Sequence, residues 1–306
     1  MVTTSPRLRA NLLLLLTAVI WGFAFVAQRS GMEHVGPFTF NAIRFFIGGL
    51  VLIPLMTGLD QRRRASGQVV VPLRQRALLA GGLLAGAVIF AAATLQQMGI
   101  VYTTAGKAGF ITSLYVVLVP LLGLALGHRP SAAVWIGAVL ATVGLYFLTI
   151  EGGFIMAWGD LLVLVGAFLW AGHVLLIGRL SPGTDPVKLA FLQFMACAIL
   201  SALAAVLTES VTSNDVRAAL APILYAGIMS VGVGYTLQVI AQGHTRPADA
   251  AIILSLEAVF AVIGGWLLLG EQLSARALFG CGLMLAGILI SQLVGRPEDA
   301  AVEISH

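Results

Sequence analysis

Ten apolar stretches, each about 20 residues long and almost free of charged side chains, dominate this chain of 306 residues. A helix that crosses the hydrocarbon core of a bilayer needs about 20 such residues. Charged residues make up 10% of the chain, whereas a soluble domain carries about 25%. The sequence therefore predicts an all-α polytopic membrane protein with ten transmembrane helices, at approximately 10–28, 38–57, 77–99, 104–127, 131–150, 161–178, 188–208, 218–241, 249–270 and 275–294.

The positions of lysine and arginine predict how these spans are oriented. If the spans alternate in direction, the loops on the side opposite the N-terminus carry only Arg29, Arg217 and Arg276. Cytoplasmic loops of membrane proteins carry an excess of Lys and Arg, so we expect both termini in the cytoplasm. The net charge of +4 gives no reason to expect nucleic acid as a partner. The segments on the same side as the N-terminus carry twelve Lys and Arg residues: Arg7, Arg9, Arg62, Arg63, Arg64, Arg74, Arg76, Arg129, Arg179, Lys188, Arg246 and Arg296.

The chain contains an internal repeat. Residues 10–45 align with residues 159–194, and later in each copy the glycines at 127, 137 and 144 align with those at 270, 280 and 287. Each copy has five spans, and an odd number makes the second copy enter the membrane from the opposite side, which predicts a 5+5 inverted-topology repeat. The predicted domains are a cytoplasmic tail (1–9), a first repeat (10–150), a linker (151–157), a second repeat (158–294) and a cytoplasmic tail (295–306).

Three segments resemble a known family of membrane transporters. They are AVIWGFAFV at 18–26, AGKAGFITSLYVVLVPLLGLALG at 105–127 and ADAAIILSLEAVFAVIGGWLLLGEQLS at 248–274. The chain resembles the EamA-type family of the drug/metabolite transporter superfamily over residues 10–294. The resemblance implies a ten-helix carrier of small metabolites in the bacterial inner membrane, commonly an exporter. It also implies a central cavity lined by the first four helices of each repeat, with the fifth helix at the periphery.

Two positions depart from the pattern of that family. His128, in GHRPS at 127–131, stands where the family often has an acid. Ala258 follows Glu257, where the family commonly has a proline. We expect the helix around Ala258 to be less kinked than is usual, because proline is what bends a helix interior.

Three charged residues lie at membrane depth and are candidates for binding substrate or protons. Charge at the bilayer centre is costly, so such residues usually face the bundle interior and have partners. Glu257 could bind a proton or a cationic group of the substrate, form a structural ion pair, or cap a helix break. Arg44 could contact an anionic group of the substrate, reach the interface or form a structural pair. Lys107 has the same alternatives, and it could also neutralise Glu257.

Uncharged polar and aromatic residues within the spans complete the predicted site. The charged candidates are not shared between the repeats, because Glu257 aligns with Leu114, Lys107 with Ala250 and Arg44 with Gln193. A substrate is asymmetric, so unshared polar residues are the better candidates for recognition. The further candidates for substrate or proton binding are His173, Trp21, Trp170, Asn41, Gln96, Gln193, Gln238, Tyr115 and Tyr235. Packing is the alternative for the tryptophans, and burial within the core for His173.

Enzyme and metal motifs are absent from the sequence. Cys197 and Cys281 lie inside apolar spans without CxxC spacing, so we expect neither a disulfide nor a metal site. No HExxH or GxSxG motif occurs. Asp160 and Asp249 lie only at the ends of spans, which does not suit an intramembrane aspartyl protease. We expect no catalytic residue and no cofactor.

The sequence hypothesis is a secondary transporter that moves amino acids or related small metabolites by alternating access, with export favoured and proton coupling open. Its expected partners are a small-molecule substrate and the lipid bilayer, and the protein could be a monomer or a homodimer. A nucleotide-sugar-type carrier or a drug or cation exporter of the same superfamily is the alternative, and an intramembrane enzyme fits less well.

Overall fold

The computed structural model describes residues 6–103, 105–149, 157–269 and 274–294, and within these ranges the protein is all-α. The predicted C-terminal tail and most of the predicted linker lie outside the described residues. In the predicted N-terminal tail, residues 6–9 already belong to the first helix. The ten predicted spans each coincide with one helix or with two or three consecutive helical segments.

The helices follow the chain in two sets of five spans. The first set contains α1 (Pro6–Gly31), α2 (Pro37–Ala65), α3 (Arg76–Tyr102), α4 (Ala105–Ser113), α5 (Tyr115–Ala125) and α6 (Ala132–Thr149). The second set contains α7 (Trp158–Leu180), α8 (Pro186–Thr208), α9 (Ser213–Ala218), α10 (Leu220–Leu224), a π-helix (Tyr225–Tyr235), α11 (Thr236–Gln242), α12 (Pro247–Leu254), α13 (Glu257–Leu269) and α14 (Ala275–Val294).

Eight of the described spans are long and apolar enough to cross a membrane. The segments α4 and α5 form the fourth span, α10 to α11 form the eighth, and α12 with α13 forms the ninth. The fifth and tenth spans are shorter apolar helices, Ala132–Phe147 and Leu278–Ser291. The prediction of a polytopic membrane protein with ten spans is confirmed.

Local sequence signals explain where several helices begin. Pro37, Pro186 and Pro247 each occupy the first turn of a helix, where the missing N–H costs no hydrogen bond. At the start of α8 the Asp185 carboxylate accepts hydrogen bonds from the backbone N–H groups of Val187 (3.1 Å) and Lys188 (3.2 Å). Such a cap satisfies donors that have no partner within the helix. The boundaries of these spans therefore follow from short motifs in the loops.

The two sets of helices pack around a pseudo-two-fold axis. The first span contacts the eighth and the ninth, and the equivalent sixth span contacts the third and the fourth. The second span packs on the seventh, and the fifth on the tenth. Exchanging the two copies turns the contacts of the first span into those of the sixth. The other two contacts, of the second span with the seventh and of the fifth with the tenth, are unchanged by the exchange. This arrangement is what an inverted repeat requires.

Glycines bring the backbones of α6 and α14 together along this axis. A Cβ atom at Gly137 would lie 2.7 Å from the carbonyl oxygen of Gly287, and one at Gly287 would lie 2.7 Å from that of Gly137. Further along, a Cβ at Gly144 would lie 2.6 Å from the carbonyl oxygen of Gly280. The contacts run in opposite directions along the two helices, so α6 and α14 are antiparallel. Small residues permit such close packing in lipid.

Helix breaks occur at equivalent places in the two copies. The fourth span is interrupted at Leu114, and the ninth at Ser255 and Leu256, directly before Glu257. The Ser255 hydroxyl donates to the carbonyl oxygen of Ile252 (2.8 Å). The break forms without proline, because a serine and a tight turn supply the local hydrogen bonds. The expectation that Ala258 leaves this helix less kinked than is usual stays a prediction.

The close approach of α6 and α14 gives a direct test of the packing. We expect Gly137→Ala to lower the free energy of unfolding by about 1 to 3 kcal/mol, because the added methyl group meets a backbone carbonyl that cannot move away alone. Gly282 lies on α14 with no neighbour within 4 Å of an added Cβ, so Gly282→Ala is the matched control. The control should be neutral, or more stable by about 0.5 to 1 kcal/mol. Thermal unfolding in detergent measures both, and equal stabilities would contradict the packing.

Candidate functional site

A cavity lies between the two repeats, close to the pseudo-two-fold axis. Phe45 and Phe194 occupy aligned positions, and their rings are 6.2 Å apart between centroids, so the axis passes between them. Both repeats contribute to the walls. Among the described residues the lining consists of Trp21, Ala24, Phe25, Gln28, Arg44, Gln96, Thr112, Tyr115, Trp170, Val174, Ser230, Tyr235, Gln238, Leu254 and Glu257.

The cavity is small in this arrangement of the helices. It leaves about 40 Å³ for the centres of water molecules, and one water needs about 10 to 15 Å³ on the same measure. Only a few waters therefore fit inside. A metabolite could enter only if the helices around the cavity moved apart.

Glu257 is buried, with its side chain at the cavity wall and 3% of the residue exposed. It opens α13 immediately after the break in the ninth span, where the positive end of the helix dipole favours a carboxylate. The Ser113 hydroxyl donates to Oε1 over 3.4 Å, and the Tyr115 hydroxyl is the other polar group beside the carboxylate. No Lys or Arg of the described chain forms an ion pair with it.

Arg44 is the cationic counterpart of Glu257 on the cavity wall. Its Nε donates to the Asn41 side-chain oxygen over 2.9 Å, one helical turn away on α2. Its guanidinium lies 4.9 Å from the ring centroid of Phe45 and 5.5 Å from that of Phe40, and such contacts stabilise a desolvated cation. Within the described ranges it has no acidic partner within 4.0 Å. The site thus holds one acid and one base that are not paired with each other.

Aromatic side chains form one wall of the cavity. The ring of Tyr235 lies 4.5 Å from Trp21 and 5.8 Å from Trp170 between centroids. The Trp170 Nε1–H donates to the side-chain oxygen of Gln96 (3.1 Å), and the Trp21 Nε1–H donates to the carbonyl oxygen of Ser230 (3.1 Å). These hydrogen bonds hold the two aligned tryptophans in fixed orientations. Their faces offer a surface for an apolar or aromatic group.

The structure brings together eight of the twelve predicted residues and places the other four elsewhere. His173 and Gln193 are buried behind the aromatic wall, where their side chains share a hydrogen bond of 3.0 Å. Asn41 holds Arg44 and does not line the cavity. Their roles in transport stay predictions. The residues on the cavity wall are Glu257, Arg44, Trp21, Trp170, Gln96, Gln238, Tyr115 and Tyr235.

Lys107 lies apart from the cavity, at the start of α4. Its Nζ is 2.6 Å from Oδ2 of Asp160, a buried carboxylate at the start of α7. The Asp160 carboxylate also accepts hydrogen bonds from the Thr103 hydroxyl (2.6 Å) and from the backbone N–H of Ala157 (2.8 Å). The alternative that Lys107 neutralises Glu257 is therefore wrong. A carboxylate at the same face is its partner, because the inverted repeat brings the starts of the fourth and sixth spans together.

Sequence reasoning missed several residues of the lining. Gln28 could have been found, since an amide within an apolar span is a polar exception of the same kind as Gln96. Thr112 and Ser230 gave a weaker signal, because hydroxyl groups are common in transmembrane helices. Ser230 contributes its carbonyl oxygen, and that contact depends on the π-helix, which no sequence motif predicted.

The chain matches the model of the EamA-like transporter family over residues 8–150 and again over 157–293. It belongs to the EamA-like transporter family. It is 35% identical to an uncharacterized transporter of Archaeoglobus fulgidus, over 94% of this chain and 87% of that protein. It is 22% identical to the uncharacterized inner membrane transporter YedA of Escherichia coli, over 90% and 88% of the two chains. A solved structure, 23% identical, shares the fold with a TM-score of 0.73 over 94% of this chain and 97% of that chain.

Ion pairs join the two repeats of this EamA-family transporter at both faces of the membrane domain. We call the face at which α1 begins the N-terminal face. There Lys188 contacts Asp60 (2.7 Å) and Arg63 contacts Asp185. At the opposite face Lys107 contacts Asp160. All three pairs connect one repeat with the other.

The pair at the opposite face can be tested by a double-mutant cycle. We expect Lys107→Met to lower the free energy of unfolding by about 2 to 3 kcal/mol, because it leaves the buried Asp160 carboxylate without its cation. The effect stays at the low end because the Lys107 side chain is 29% exposed. The double variant with Asp160→Asn should recover most of the loss. Thermal unfolding of the four proteins measures the coupling, and strictly additive losses would contradict the pairing.

Proposed function

We propose that this EamA-family transporter exports a small zwitterion, an amino acid or a related compound, across the inner membrane by alternating access. The observation that carries the proposal is that Arg44 and Glu257 are both buried, both face the cavity and are not paired with each other. A ligand that carries a carboxylate and an ammonium group supplies the missing partner of each.

Energetic reasoning supports a ligand with both charges. A charged side chain within the bilayer costs about 2.5 to 3.5 kcal/mol even on scales that allow for relaxation. Retaining two such charges without a mutual ion pair is unfavourable for the empty protein. A zwitterion neutralises both at once, and its side chain can pack on the faces of Trp21, Trp170 and Tyr235. Amino acids with apolar or aromatic side chains match this lining best.

The symmetry of the repeats supports alternating access. In transporters built from inverted repeats, exchanging the conformations of the two halves converts one open state into the other around a fixed site. Glu257 and Arg44 lie close to the axis, so the exchange leaves them near the centre of the membrane. The ion pairs at the two faces would then separate in turn. The excess of Lys and Arg at the N-terminal face supports a cytoplasmic location for both termini.

Proton exchange at Glu257 would supply the driving force for export. When the ammonium group of the substrate leaves, the carboxylate loses its counter-charge in a desolvated site, and taking up a proton removes the cost of that charge. One proton would then enter for each substrate molecule that leaves. Facilitated diffusion without protons is the simpler alternative for the same site.

A cation exporter is the second candidate, and the aromatic wall beside Glu257 favours it. Aromatic faces together with one acid are suited to organic cations. Arg44 opposes this assignment, because it would repel such a substrate. A nucleotide-sugar carrier fits less well, since Arg44 is the only Lys or Arg among the described residues that line the cavity, and a diphosphate requires more positive charge.

Counterflow in proteoliposomes tests the substrate class. With amino acids of apolar side chain as labelled substrates, we expect uptake to fall about 10- to 100-fold in Glu257→Gln and in Arg44→Gln, because each loses a hydrogen bond between charged groups worth about 1.5 to 3 kcal/mol. Exposed residues of the same charge, Glu33 and Arg62, provide the matched controls Glu33→Gln and Arg62→Gln. The controls should transport like the unmodified protein.

Other outcomes of the same assay identify a different function. Transport of an organic cation that needs Glu257 but is unaffected by Arg44→Gln would replace the zwitterion with the cation exporter. Equal activity of all four variants would contradict substrate binding by Glu257 and Arg44.

Proton coupling is tested separately, by measuring efflux from loaded vesicles with and without an imposed pH gradient. We expect efflux to accelerate when the side that receives the substrate is the more acidic one, and Glu257→Gln should abolish that response. Efflux that does not depend on the pH gradient would contradict proton coupling and support facilitated diffusion.

A further inference from the structure

A second hollow lies at the N-terminal face, away from the central cavity. It is formed by the end of α5, the turn that follows, and the starts of α6 and α12. Three basic residues from two separate loops converge on it, His128, Arg129 and Arg246. The rest of the lining is almost entirely apolar, including Val119 and Leu175. Positive charge beside an apolar floor is unusual for a surface that only faces water.

Backbone geometry holds the basic residues at the mouth of this hollow. Gly127 has a φ of +83°, which turns the chain sharply after α5, and the His128 N–H donates to the carbonyl oxygen of Gly123 over 2.9 Å. A Cβ atom at Gly123 would lie 3.2 Å from Nδ1 of His128, so the imidazole packs closely over the end of α5. Across the hollow, Nε of Arg246 donates to Asp249 over 2.8 Å. The basic groups are thus positioned by the fold on two sides of one space.

The other repeat indicates that the fold does not need these charges. The alignment of the two turns places Glu271 opposite His128 and Gln272 opposite Arg129. At the position equivalent to Arg246 the first repeat has Thr103. The aligned segments of the repeats therefore carry none of the three bases at the equivalent positions. A ligand at the N-terminal face explains them better than a requirement of the helix packing.

The size of the hollow limits what can occupy it. It leaves about 20 Å³ for the centres of water molecules, which is room for about one water-sized group. A whole soluble metabolite does not fit, but one oxygen-bearing group of a larger molecule does. The bulk of that molecule has to stay outside, beside the apolar residues at the edge of the bilayer.

We propose that this hollow binds a phosphate oxygen of an anionic phospholipid from the leaflet at the N-terminal face, with the rest of the phosphate group at its mouth. Basic pockets between transmembrane helices on the cytoplasmic side bind anionic headgroups in other membrane proteins. His128 and Arg129 face the phosphate from one side and Arg246 from the other, while the acyl chains lie along the bilayer. Asp249, an acid beside the site, already contacts Arg246 and also Arg7 at 3.5 Å. The inference is independent of the substrate proposed above.

Lipid binding to the purified transporter in detergent tests the proposal, with phosphatidylglycerol, phosphatidylcholine and inorganic phosphate as separate probes. Native mass spectrometry counts bound lipid, and the shift in melting temperature reports affinity. We expect the dissociation constant for phosphatidylglycerol to rise roughly fivefold in Arg129→Gln, and further in His128→Gln with Arg129→Gln. Arg62→Gln with Arg64→Gln is the control, because both arginines are exposed at the same face outside the hollow.

The comparison of probes and variants decides the outcome. Selective loss of phosphatidylglycerol binding in the two hollow variants, with unchanged binding in the control, supports the site. The same loss in the control would reduce it to general attraction between a basic face and acidic lipid. Equal binding of phosphatidylcholine would remove the role of charge, and stabilisation by inorganic phosphate alone would assign the site to a soluble anion. Arg129 is exposed, so Arg129→Gln keeps the test valid if replacing His128 disturbs the turn.

Discussion

Close contact between antiparallel backbones is the interaction on which this fold depends. In lipid there is no hydrophobic force to drive helices together, so association rests on van der Waals packing and on small residues that permit it. Gly137 meets Gly287 in this way, and Gly99 meets Gly159 where the third span packs on the sixth, with an added Cβ on either lying 2.7 Å from the carbonyl oxygen of the other. Both contacts join one repeat to the other. These contacts fix how the two repeats pack about the pseudo-two-fold axis, and the cavity lies close to that axis.

The cavity lies close to that axis. Its chemistry comes from residues that the two repeats do not share. Aligned residues such as Trp21 and Trp170 supply the same wall from both sides, each held by a hydrogen bond to the opposite repeat. Arg44 and Glu257 have no such equivalents. A two-fold frame can therefore hold an asymmetric pair of charges on the wall of a cavity that both repeats form. The cost of burying those charges falls on the empty state, and the proposed ligand would relieve it.

Patterns within a single segment could be predicted from the sequence. Contacts between segments were harder to predict. The ten spans follow from hydrophobic length, and the inverted repeat follows from aligned residues and an odd number of spans. Glu257 stood out because a carboxylate is rare in an apolar run. The pairing of Lys107 with Asp160 could not be read from spacing, because the starts of two helices from different repeats supply it. The π-helix at Tyr225–Tyr235 has no counterpart in the third span, so the repeat gave no sign of it.

Duplication also separates residues that the architecture needs from those that it does not. Leu114 occupies the position equivalent to Glu257, and Gln193 the position equivalent to Arg44, in a copy that packs in the same way. A span with a break at this depth thus forms with a hydrocarbon side chain as well as with a carboxylate. The acid and the base were therefore not retained for the sake of the fold. In the proposed function, a ligand or a proton relieves the cost of burying them.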